Sequence, residues 1–388
     1  MRQQCFCSLV LATLLLAPFL IAAPEALRAH AHEGVVYTSD QTWSGNLSLD
    51  EDVVIDTGAT LVIQSGTQIN VTEDITITIR GTLQIQGTPE APVDIWGSWV
   101  AETSVQARWQ GFLLTSGSIS TVAHAMISDS RGGFDVEHGA TLTIESTHFT
   151  DSIIGVWNKG SITGSGFECL SATTSCLRVD GTANLDTISS TTSAGVVHVY
   201  NGGDASIDTI DSNQDSDVLI LDGGSAYSGE IHAGGFTRMI RASDSVSATV
   251  TPVVTTAGDT LVDASSLSGL IVTNGQTNGS VSSLLIGSVS DIEFDSVEYA
   301  CDGTSNCIDA QVNGELTLSN SNFGLSASDS VAFARLRGAG DVVMENVNVS
   351  ASSTFFDIAG DGELSIEDSL LSGQSLGTIS GWQLQMNN

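Results

Sequence analysis

Few residues of this chain have the type and spacing that chemistry needs. Arg178 and Asp180 stand two apart in the run CLRVD, and Asp222 and Arg241 return in similar settings further on. An arginine beside a carboxylate can abstract a proton or steady a developing charge, provided both groups reach one ligand. These four are the candidate catalytic residues, and Trp157 is the candidate ligand-binding side chain. DSNQDSDVLILD places oxygens at Asp211, Asn213, Asp215, Asp217 and Asp222, in partial imitation of a calcium loop. The imitation lacks the sixth-position glycine, the final glutamate and the flanking helices, so Ca²⁺ is the one cofactor worth entertaining and a polar turn is the simpler account. No P-loop or dinucleotide fingerprint occurs.

The elements that must carry these residues repeat. Gly139, Gly160, Gly181, Gly202 and Gly223 are spaced 21 apart. Before them lie short β-like runs such as GVWNK, CLRVD, VHVYN and VLILD; after them come TLTI, SIT, NLDTI and SIDTI. Helix-length amphipathic segments are missing and β-branched residues abound, so the unit is two or three short strands joined by turns. A period near 21 without a leucine-rich pattern predicts an all-β chain, a parallel β-helix solenoid of about 21–22 residues per coil. At about 4.8 Å per coil, fourteen to sixteen coils would make a rod roughly 65–75 Å long. Counting back four from Gly160, Gly181, Gly202, Gly223 and Asp244, which holds the next place in the series, puts Val156, Leu177, His198, Leu219 and Ile240 inward, which makes His198 a hydrogen-bonded core histidine. The next column, Trp157, Arg178, Val199, Ile220 and Arg241, faces out. On this phase Asp180 and Asp222 lie two coils apart with Asn201 between them, about 10 Å and too far for a paired acid and base, and no His or Tyr completes a set. Cross-coil ion pairing is the expected role of these charges.

The amino terminus reads as an export leader. Arg2 precedes the apolar run Ser8 to Ala23, and Ala29-His30-Ala31 fits a cleavage site. Residues 1–31 are therefore expected to be a signal peptide, 32–112 a cap and leading coils, and 113–388 the continuing solenoid. Of 45 acidic and 11 basic residues, the leader holds Glu25, Arg2 and Arg28, leaving 44 against 9, a net −35. Such a surface repels nucleic acid and anionic membranes, and no later segment is apolar enough to span a bilayer as a helix. Beyond the leader, cysteine occurs as Cys169 with Cys176 and Cys301 with Cys307. In an exported chain both pairs are expected to be disulfides, since neither has zinc-knuckle spacing. Asn46, Asn70, Asn278 and Asn348 begin glycosylation sequons.

One block is more specific. Gly58 to Thr67 (GATLVIQSGT), Gly81 to Val93 (GTLQIQGTPEAPV) and Trp109-Gln110-Gly111 resemble the leading coils of secreted right-handed parallel β-helix proteins of the pectate-lyase-like superfamily. The resemblance implies export and a right-handed coil. It implies little about activity, because that superfamily holds lyases, hydrolases, adhesins and surface proteins. The expectation is an exported scaffold, secreted or held at the cell surface, that binds an extracellular glycan or a surface protein. Cleavage of an extracellular polysaccharide is the alternative, and self-association through the end coils a further possibility.

Overall fold

The computed structural model describes residues 34–388 except 101–104, 107, 201, 224–225, 327–330 and 388. The leader and its cleavage point lie outside the described residues, as does Asn201.

Alternation decides the local structure. In Thr76–Ile79 (TITI), Ile77 and Ile79 are fully buried while the two threonines face out. A pleated strand with branched side chains on both faces buries one row and wets the other. The same pattern recurs along the chain, and the strands stack in parallel into a β-solenoid of about 15 turns, with no helix among the described residues. Three ladders form its sides. Ile154–Asn158, Ser175–Val179, Gly195–Tyr200 and Asp217–Asp222 are consecutive strands of the first. Thr60–Gln64, Thr82–Gln86, Ile119–Ala123 and Thr141–Glu145 belong to the second. Gln68–Val71, Val93–Gly97, Ala125–Ser128 and Thr147–Thr150 belong to the third.

The interior is one continuous column of aliphatic side chains with an aromatic segment near its beginning. Phe112 stacks on Phe134 at 5.0 Å, and Phe134, Phe149 and Phe167 follow edge to face at 6.1 and 5.4 Å. Each such ring removed from water contributes about 2–3 kcal/mol.

Corners are fixed by backbone more than by core. Asn320 and Asn346 hold φ of +49° and +54° where the second side turns into the third. Asparagine tolerates this region because its amide bonds locally. Here Asn346 donates to Asn320 at 3.0 Å and Asn320 donates to Asp295 at 2.8 Å, so the corners link from turn to turn. Gly111, at φ +106°, has no alternative, since a Cβ there would sit 1.5 Å from the carbonyl oxygen of Gly132.

Both disulfides form, Cys169–Cys176 and Cys301–Cys307, with Cα atoms 5.7 and 5.6 Å apart. Each joins the end of a third-side strand to the start of the next first-side strand. Cys176 precedes Leu177 and Cys307 precedes Ile308, two residues of one inward column, so the staples occupy equivalent corners.

The 21-residue comb is correct in period, but its phase slips locally, first between Gly139 and Gly160, where Phe134 pairs with Val156, 22 residues on, and again at Gly181. Leu177 pairs with Val197, 20 residues on, and Val197 with Leu219, 22 residues on. Gly181 is consequently matched by Gly203, since Thr182 pairs with Asp204. Counting glycines cannot see a turn that gives up one residue and recovers it in the next. This slip moves every side chain of Gly195–Tyr200 to the opposite face.

Candidate functional site

The slip builds the site. With Val197 and Val199 buried, His198 faces outward and pairs in register with Arg178 on one side and Ile220 on the other. The expectation of a core histidine is therefore overturned. Tyr200 points outward too and pairs with Asp222, occupying the place between Asp180 and Asp222 that the comb gave to Asn201. A histidine and a tyrosine do stand among the candidate charges.

On the outer face of the first side, five side chains form a continuous stack. Lys159 Nζ lies 3.8 Å from the centroid of the Trp157 ring, and the Arg178 guanidinium lies 4.5 Å from it. The same guanidinium lies 3.8 Å from the Tyr200 centroid, and Tyr200 stacks on His198 at 3.7 Å. Cations over ring faces are attracted by the ring quadrupole, so the order of the members is enforced by physics as well as by register. Carboxylates fix the stack from its flanks. Trp157 Nε1–H donates to Asp180 Oδ2 at 2.6 Å, Arg178 Nε lies 3.4 Å from the same oxygen, and Lys159 Nζ donates to Asp135 at 2.9 Å. Trp157 is thus a packed member of the site, its ring held against two cations.

Beyond His198 the face opens into a cleft of about 210 Å³ lined by His198, Ile220, Asp222, Arg241, Ser243 and Asp263, among others. Ser243 donates to Asp222 at 2.9 Å. Arg241 is half exposed, with Asp217 as its nearest carboxylate at 3.7 Å. His198 Nε2 is buried and makes no hydrogen bond within the protein. Burial pushes its pKa down to about 4; Asp222 opposes this shift, while the positive charges of Arg178 and Arg241 reinforce it. The imidazole is neutral at pH 7. Burial also raises the Tyr200 phenol, which remains protonated.

All four candidate catalytic residues thus lie on this face; Arg178 pairs with Asp180 within one coil, Asp222 accepts from Ser243, and Arg241 alone of the four makes an ion pair across coils, with Asp217. The five candidate calcium ligands do not converge. Asp215 is buried, accepting from Ser190, Ser193 N–H, Ser212 and Asn213 N–H at 2.6–3.1 Å. Burial raises its pKa against those four bonds. Asp217 is held by Arg238 at 2.6 Å, Asp211 pairs with His232 on the third side, and Asp222 faces the cleft. Asn213 shares with Asp215 only the backbone contact just given. No group of three His, Cys, Asp or Glu able to hold a metal occurs among the described residues.

Charge singles out this side of the rod. The nine described cations are Arg80, Arg108, Arg131, Lys159, Arg178, Arg238, Arg241, Arg335 and Arg337, and every one lies in a first-side strand or at its flanking corner. Among the described residues the other two sides carry no lysine or arginine.

Sequence reasoning missed Lys159, His198 and Tyr200. The signal was present in VHVYN: Val197 and Val199 alternate as an inward pair, which sends His198 out, but the fixed glycine offset overrode it.

No protein-family model and no curated protein sequence matches the chain. One solved structure, described as the catalytic domain of Agl-KA, resembles it at 12% identity with a TM-score of 0.38, covering 85% of this chain. The chain spans 63% of that protein's length, and a likeness this remote says nothing of its chemistry.

Proposed function

We propose that this protein is an exported, elongated scaffold that binds an extracellular glycan on the outer face of its first side. The observation that carries the reading is the Lys159–Trp157–Arg178–Tyr200–His198 stack leading into the cleft of Asp222, Arg241, Ser243 and Asp263. Saccharides are bound by rigid donors and acceptors beside planar groups, and the stack supplies ring edges and cationic donors with its rotamers already fixed. The electrostatics agree. A polyhydroxyl or anionic chain approaches this side with no uniform wall of carboxylate to repel it, whereas the other two sides have no lysine or arginine among their described residues. Export is supported by the leader sequence and by two disulfides, which persist in oxidising compartments. The test is retention of the folded protein in gels or columns carrying neutral and acidic polysaccharides. Retention by at least one polymer, lost in Tyr200→Ala, is the expected result; no retention by any polymer would reject the proposal.

A second reading, cleavage of the bound polymer, is favoured by one observation. His198 presents a neutral imidazole with an unpartnered Nε2 beside Tyr200, Asp222 and Arg241. A neutral imidazole is the form a general base needs. Light scattering of the polymer decides between the readings: a polymer mass that falls with wild-type protein and stays constant with His198→Gln establishes cleavage at this site, and a constant mass with wild-type protein leaves binding alone.

A further inference from the structure

Four sequence motifs still lack a role. Asn46-Leu47-Ser48, Asn70-Val71-Thr72, Asn278-Gly279-Ser280 and Asn348-Val349-Ser350 are the Asn-x-Ser/Thr sequons of this sequence. The fold puts all four on the third side. Asn46–Leu49 pairs with Gln68–Val71 in that ladder, so Asn46 and Asn70 lie on consecutive turns. From Asn46 one outward row runs in unbroken register through Gln68, His148 and Glu298 to Asn322 and Asn348. Asn278 follows the Gln276–Thr277 strand of the same side, its N–H donating to the Val254 carbonyl at 2.9 Å.

Strand geometry presents these motifs to solvent. Successive side chains point to opposite faces, so an asparagine and the hydroxyl two residues on face water together while the residue between them faces the core. Val71 and Val349 are buried and Leu47 packs against the core, whereas Asn46 with Ser48 and Asn348 with Ser350 are exposed. A saccharide on the amide extends into water without moving a core side chain. The placement does not follow the hydroxyls, which also cover the second side at Thr141, Thr143 and Thr163. Asparagines there and at its corner have a carboxylate where the hydroxyl would be, Asn184 with Asp186 and Asn313 with Glu315. We infer that Asn46, Asn70, Asn278 and Asn348 carry N-linked saccharides, so that the third side is the sugar-covered side of the rod and the stack on the first side stays bare. The inference rests on the export reading, because transfer takes place on the export route. A lipid-phosphate-linked saccharide is the donor: its C1–O bond to phosphate breaks, the bond from Asn Nδ2 to C1 forms, one amide proton is released and the lipid phosphate leaves.

Intact-mass measurement on the protein recovered from its own cells and from their medium is the test. The expected result is a medium form heavier than its polypeptide by four saccharide increments. One increment is lost with each of Asn46→Gln, Asn70→Gln, Asn278→Gln and Asn348→Gln, with the circular-dichroism spectrum unchanged; a substitution that removes no mass overturns the assignment of that residue. Ser350→Ala should lose the Asn348 increment although the asparagine remains, and Ser350→Thr should keep it, since the acceptor needs a hydroxyl and not a serine. Asn322, beside Asn348 in the row and bonded to it at 3.0 Å, has Gly324 two residues on and should stay bare. An exported chain of bare polypeptide mass would overturn the inference and leave the export reading standing, whereas a chain retained inside the cells would overturn both. Added mass that survives all four substitutions together would place the sugar on other groups and overturn it as well.

Discussion

At the scale of the residue, the site is a set of side chains that mostly hold one another. Asp180 accepts from Trp157 and faces Arg178, and Arg178 in turn lies against two rings. Removing a single member should therefore disturb ligand affinity more than stability. Tyr200→Ala takes away the ring between Arg178 and His198 and is expected to weaken polysaccharide binding about tenfold or more, roughly 1.4 kcal/mol, with the thermal midpoint little changed. Calorimetric titration beside a melting curve checks both halves. His198 makes a prediction in pH. Its folded pKa of about 4 lies below the ordinary 6.5, so the unfolded chain takes up a proton in the window between them and the folded chain does not. Stability from this residue is whole above pH 6.5 and is lost as pH falls towards 4. Solvent near the imidazole screens the effect, so a loss of about 1–2 kcal/mol is reasonable. His198→Gln should flatten the stability curve in that window; an identical slope in the variant would show that carboxylates elsewhere dominate.

At the scale of the element, what was legible in the sequence was period, and what was not was phase. The solenoid, its short strands and both disulfide pairs follow from glycine spacing, alternation and two local cysteine pairs. The site did not follow, because one turn between Leu177 and Val197 is a residue short and the next a residue long. Backbone hydrogen bonding tolerates that exchange at a corner, and strand alternation then converts it into a change of face for His198 and Tyr200. Corners deserve separate tests from strands. Gly111→Ala forces a methyl into the Gly132 carbonyl at a φ that L residues rarely adopt, and should cost several kcal/mol or prevent folding of the leading turns. The cysteine corner is gentler. Closing a seven-residue loop is worth about 2–3 kcal/mol through the unfolded chain, so Cys169→Ser with Cys176→Ser should lower the denaturation free energy by that amount with the fold retained. Chemical denaturation of the variant against oxidised wild type is the check.

At the scale of the molecule, two electrostatic contributions oppose each other, and ionic strength separates them. The described cations sit on one side of the rod in pairs such as Arg238 with Asp217 and Asp263, Arg335 with Asp309 and Asp357, and Arg337 with Asp357. The exposed pairs among them, those of Arg335 and Arg337, contribute about 0–1 kcal/mol each, and salt weakens them. The carboxylates in excess lie on strands stacked about 5 Å apart, well inside the screening length of about 30 Å at 0.01 M salt and still within the 10 Å at 0.1 M. Their mutual repulsion opposes the compact rod and is also relieved by salt. With 45 acids against 11 bases the repulsive contacts outnumber the attractive ones, so screening should stabilise on balance. The melting temperature is expected to rise by several degrees between about 10 and 300 mM sodium chloride, a range over which the screening length shrinks from about 30 to about 6 Å. The variant Arg238→Gln supplies the internal control. It removes the cation bridging Asp217 and Asp263 and leaves the buried Asp217 with only the longer contact to Arg241 at 3.7 Å, so it should melt lower at every salt concentration and rise more steeply with salt. A melting temperature that falls with salt in the wild type would mean that the ordered ion pairs along the first side outweigh the repulsion of the rest of the rod.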